Sequence, residues 1–194
     1  MKENTRFNTR KLVLLALLTA IVIILQVLAA VLPVYPFRLN LVLVPIVIGA
    51  ALISPLAGAW LGLVFGGVVL VSSPDVIPFM TYSPLATVAV ILARGLLAGS
   101  VTGFIYKKLE EKGMTIAAIA AAAVCPIVNT GIFIAGMYIF FIPLLNEWGV
   151  AGASDIASFI FLGMVGFNFI FEFALNIILS PSIVRLIQYN RSKM

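Results

Sequence analysis

The chain has 194 residues and a formal net charge of +5; 63% of its residues are hydrophobic and only 10% are charged. A soluble domain carries about 25% charged residues, so a soluble globule is excluded, and disorder, a collagen-like fibre and a disulfide scaffold are excluded with it. There is no histidine and one cysteine, Cys125. That removes the commonest metal ligand and any internal disulfide, so neither a metal nor a cofactor is expected.

A basic start with Lys2, Arg6, Arg10 and Lys11 leads into an apolar run interrupted only by Thr19 and Gln26. Residues 11–32 are predicted to form the first span, since about 20 apolar helical residues cross a bilayer. No small-residue cleavage site follows it, so the span is expected to be retained. Pro33 and Pro36 then break the helix ahead of Arg38 and Asn40. The apolar stretch from Leu41 to Val71 is too long for one span. Ser54-Pro55 makes a tight turn near its middle, which divides it into short spans over 40–54 and 56–72. Gly58, Gly62 and Gly66 form a four-residue stripe in the second of these. A loop with three prolines and Asp75 follows.

The fourth span, 85–106, carries Gly95, Gly99 and Gly103 on one face and Arg94 near its middle. Small residues four apart let helices approach closely in lipid, where no hydrophobic drive brings them together. An arginine at bilayer centre costs about 2.5–3.5 kcal/mol on insertion scales, so it must face protein or a polar cavity. After the charged turn Lys107–Gly113, a fifth span (115–141) includes Asn129. The loop that follows carries Glu147, Trp148 and Asp155, and a sixth span (156–180) includes Asn168, Glu172 and Asn176. Ser180-Pro181 is expected to kink or end it before a basic tail.

The expected fold is therefore an all-α integral membrane protein of one domain, 1–194, with six transmembrane helices. Ten of the twelve basic residues then lie on one side, while Arg38, Asp75, Glu147 and Asp155 lie on the other. The positive-inside rule makes both termini cytoplasmic. Five spans would instead place Lys107, Lys108 and Lys112 outside.

Of the polar positions within spans, Arg94, Asn129, Asn168 and Glu172 are the candidates for a site. Asn168 and Glu172, four apart, share a helix face. Two readings fit them. An Arg94–Glu172 pair flanked by asparagines either locks helices together or forms the floor of an outward-facing pocket. Arg38, Asn40, Tyr82 and Trp148 lie at the outer surface, as pocket walls or as an interfacial aromatic belt. Ala16 and Ala20 give A-x-x-x-A at the inner end of the first span. There is no G-x-x-x-x-G-K for ATP and no Ser-His or Cys-His pair for proteolysis, so the chain is not expected to be an enzyme. Its basic charge follows topology and does not point to nucleic acid.

In the order and spacing of these features the chain resembles the substrate-binding membrane subunits (S components) of energy-coupling factor vitamin transporters, and most resembles the branch that includes pantothenate carriers. The features are Ala16 and Ala20, the hairpin LVPIVIGAALISPLAGAWLGLVFG, the ARGLLAG segment around Arg94, and NFIFE with Asn168 and Glu172. The resemblance implies a bacterial-type plasma-membrane protein that binds a vitamin from outside, in a pocket made by outer loops and the last three helices. It also implies association with a coupling protein and two ATPases, with Ala16 and Ala20 at the positions that pack on the coupling protein. Arg94 suits a carboxylate, which favours a small acidic vitamin such as pantothenate. The competing classes are a self-sufficient permease or channel and a structural membrane protein.

Overall fold

A computed structural model describes residues 9–31, 41–148 and 153–191, and among them all regular structure is helical. Helix α1 (Thr9–Val31) buries only Leu18, Val22 and Gln26. Its opposite face, including Ala16 and Ala20, is exposed. Helix α2 is short, Leu43–Leu52, and is followed by α3, Pro55–Ser72. The division falls where expected: the Ser54 side chain accepts from the Ala57 N–H, and Pro55 starts the helix, a position where its missing N–H costs nothing.

The expected proline loop is instead helical. A 3₁₀ turn (Pro74–Val76) and α4 (Ile77–Tyr82) lead into α5, Pro84–Leu109. Each proline enters its turn at the first or second position, where a fixed φ suits a helix start. A 3₁₀ turn and Gly113, at φ 133°, reverse the chain into α6, Met114–Phe140. Helix α7 (Ile142–Glu147) replaces part of the second expected loop. From Ala153 to Arg191 the chain is continuously helical: α8 (Ala153–Ser158), a π-helical segment (Phe159–Gly166) and α9 (Phe167–Arg191). Pro181 lies inside α9 and does not end it.

Among the described residues, five helices are long and apolar enough to cross a membrane: Thr9–Val31, Pro55–Ser72, Pro84–Lys112, Met114–Phe140 and Asn168–Arg185. The expected second span is represented by α2, whose ten residues reach about 15 Å. Lys11, Ser54 and Lys107 line one cavity, so the start of α1, the α2–α3 turn and the end of α5 meet at the same end of the bundle. Helix α2 thus returns the chain to the end where α1 began.

Helix α5 packs against α3 on one side and α6 on the other, while α9 packs on α6 and α2. The α3–α5 contact explains both glycine stripes. A Cβ on Gly62 would strike the Gly95 carbonyl, and one on Gly58 the Gly99 carbonyl; the reverse clashes hold for Gly95 and Gly99. The two stripes face each other, and main chain touches main chain. Tightly packed α5 becomes the rigid mount for Arg94.

Candidate functional site

Arg94 sits ten residues into α5 from Pro84, about 15 Å along the helix. Its Cζ lies over two rings, 5.6 Å from the centroid of Phe65 on α3 and 5.2 Å from that of Phe133 on α6. Both fall within about 6 Å, the range in which a ring quadrupole attracts a cation. Rings stabilise the guanidinium without offering in-plane acceptors, and Nε is buried with no hydrogen-bond partner. Glu172 is the charged neighbour that acts on Arg94.

Helix α9 brings Asn168, Glu172, Asn176 and Ser180 to one face through their four-residue spacing. Glu172, Asn176 and Ser180 are buried and Asn168 is half-buried. The Asn176 Nδ2 donates to the Glu172 carbonyl at 2.8 Å and Ser180 Oγ to the Ile177 carbonyl at 2.7 Å. Asn168 and Glu172 are both engaged by neighbours. On α6, Asn129 is buried, and Cys125 lies one turn away on the same face. Cys125 adjoins Thr102 and is within the field of Glu172. Helices α5, α6 and α9 therefore share a polar interior.

Two amide oxygens in that interior, Asn129 Oδ1 and Asn176 Oδ1, are buried without hydrogen-bond partners. An unmatched buried acceptor costs about 1–3 kcal/mol, which favours a guest that donates hydrogen bonds. The site offers a cationic edge to an anion and several acceptors to hydroxyl or amide groups.

Toward the Pro84 end lies an aromatic cluster. Phe79 meets Phe141 edge-on at 5.1 Å and Trp148 at 5.6 Å; Tyr82 lies 6.2 Å from Phe141, and Trp148 6.5 Å from Phe159. Phe79 and Phe141 belong to a hydrophobic cluster against which Phe133 packs. Phe133 therefore links the aromatic end to Arg94.

Of the residues expected from sequence, Arg94 falls on α5, Asn129 on α6, and Asn168 and Glu172 on α9, with α6 packed against both of the others. Tyr82 and Trp148 join the aromatic cluster. Arg38 and Asn40 lie outside the described residues. Ala16 and Ala20 are remote from the site, on the exposed face of α1. Sequence reasoning missed Phe65, Phe133 and Thr102. Asn176 was visible in the four-residue spacing that selects Asn168 and Glu172, but nothing marks two phenylalanines in apolar runs as the rings that hold an arginine. No group of three or more His, Cys, Asp or Glu is placed to hold a metal among the described residues.

These features define a multi-pass helical membrane protein with buried polar groups among its helices. Residues 10–184 match the family "ECF transporter, substrate-specific component", and the chain belongs to that family. Its members are substrate-binding membrane subunits of transporters and not enzymes. No curated protein and no solved structure matches the chain.

Proposed function

We propose that this subunit captures a small, water-soluble acidic vitamin from outside the cell, pantothenate or a close chemical relative, and delivers it with a transmembrane coupling protein and two ATPases. Both termini face the cytoplasm in this reading, and the aromatic end faces out. The observation that carries the proposal is Arg94, held over Phe65 and Phe133 with a buried, unpartnered Nε beneath an aromatic cluster. A guanidinium binds carboxylates in a planar geometry, and the acceptors Asn129 and Asn176 suit the hydroxyl and amide groups of such a molecule. Asn168 and Glu172 complete the floor and Tyr82 and Trp148 the rim, with Arg38 and Asn40 assigned to the same outer region.

The exposed Ala16 and Ala20 lie on the opposite face of α1 from Leu18 and Val22, which leaves a smooth strip for a partner helix. Replacing both with tryptophan is expected to abolish co-purification with the coupling protein and ATPases while vitamin binding by the isolated subunit is unchanged. Cellular uptake measured alongside should fall to background, and should also fall when the ATPases are disabled. Uptake that persists without the ATPases would instead identify a self-sufficient permease.

A further inference from the structure

A second site lies at the opposite end of the bundle from the aromatic cluster. There a cavity of about 300 Å³ opens between the start of α1, the α2–α3 turn and the end of α5. Lys11 and Lys107 line it from different helices, and both are exposed. Among the described residues neither ammonium is held in an ion pair, whereas Glu110, the one acidic residue of the lining, is already engaged. The 18-residue α3 begins at Pro55 on the cavity wall, so its positive dipole end adds to the field of the lysines. Two lysines against the one carboxylate of Glu110 leave the lining net positive.

The rest of the wall mixes apolar residues, Leu52 of α2 and Ile53 of the turn that follows, with the polar Ser54 and Tyr106. Just outside it Leu56 is 82% exposed, a surface suited to an alkyl chain. Lys107 and Lys108 end α5 here and Lys11 begins α1, so the cavity sits at the basic end of the molecule. Basic clefts between helices on the cytoplasmic side meet a leaflet rich in anionic lipid. We propose that this cavity binds the headgroup phosphate of one anionic phospholipid, with the phosphate between Lys11 and Lys107 and the acyl chains along the apolar surface beside Leu56. Lysine suits this task as a point charge that holds a phosphate without demanding one planar geometry. The exposed Leu56 beside the cavity favours a lipid over a free phosphate ester, which has nothing to place there. This site is separate from the vitamin site and does not depend on the identity of the vitamin.

The test is native mass spectrometry of the full chain released from detergent containing phosphatidylglycerol, phosphatidylcholine or the chain-free headgroup glycerophosphoglycerol. Wild type is expected to retain one phosphatidylglycerol in preference to phosphatidylcholine. The double variant Lys11→Gln/Lys107→Gln is expected to bind it about thirtyfold more weakly, from the effect of two lysines at a membrane surface. Lys108→Gln/Lys112→Gln, which removes the same charge outside the cavity, should retain the lipid as wild type does. Equal retention by both double variants would overturn the site. Binding of glycerophosphoglycerol as tight as that of the lipid would overturn the assignment to a lipid.

Discussion

Gly62→Val is expected to lower the thermal unfolding midpoint by about 6–12 °C and to abolish most of the folded protein recovered from membranes. A Cβ at Gly62 meets the main-chain carbonyl of Gly95, and one at Gly95 meets that of Gly62. No side chain can rotate away, because the obstacle is backbone on a helix that is itself packed against α6. Overpacking a tight interior costs about 1–3 kcal/mol, and a valine against backbone belongs at the top of that range. For a chain of this size about 3 kcal/mol corresponds to the stated shift. Gly67 supplies the control. It lies on the same helix, but a Cβ there has nothing within 4 Å, so Gly67→Val should leave the midpoint within about 2 °C of wild type. Fluorescence-detected size exclusion after heating separates the cases, and equal losses at both positions would mean that the α3–α5 approach is not what holds the bundle.

Arg94→Gln is expected to weaken vitamin binding at least a hundredfold, about 3 kcal/mol, while the protein remains folded. Glutamine keeps hydrogen-bonding capacity and loses the charge that would meet a carboxylate. Arg94→Lys separates charge from shape. Lysine keeps the charge but not the planar group that lies over Phe65 and Phe133, and a stacked arginine is not replaced by lysine without cost. An intermediate loss, about tenfold, is expected from it. Isothermal titration with each variant, alongside its unfolding midpoint, distinguishes ligand binding from scaffolding. Wild-type affinity in Arg94→Gln would leave Arg94 as a structural partner of Glu172.

Much of this architecture is written locally in the chain. The Ser54-Pro55 division is legible because a capping serine followed by proline starts a helix almost irrespective of context. Both glycine stripes are legible as close-approach surfaces, since four-residue spacing of the smallest residue has one geometric meaning on a helix. That they face each other is not legible, because a smooth strip carries no label for its partner. The proline-bearing stretches Pro74–Tyr82 and Ile142–Glu147 look like loops in the sequence and are short helices in the structure; proline breaks a helix interior and favours a helix start, and only the register decides which applies. The second span was expected over 40–54, but its described helix has only ten residues. In the site, ionisable and amide groups within spans announce themselves by their cost in lipid. The phenylalanines that hold Arg94 do not, since an aromatic ring in an apolar run looks the same whether it meets lipid, core or a cation.

The most direct test of the central claim is calorimetric titration of the purified subunit, without partner proteins, against a panel of vitamins. One acidic vitamin is expected to bind with one-to-one stoichiometry and to change the fluorescence of Trp148 in a Trp60→Phe background. Its carboxylate ester should bind at least a hundredfold more weakly, matching the loss in Arg94→Gln. Folded protein that binds none of the panel, or that binds the ester as tightly as the acid, would contradict the account.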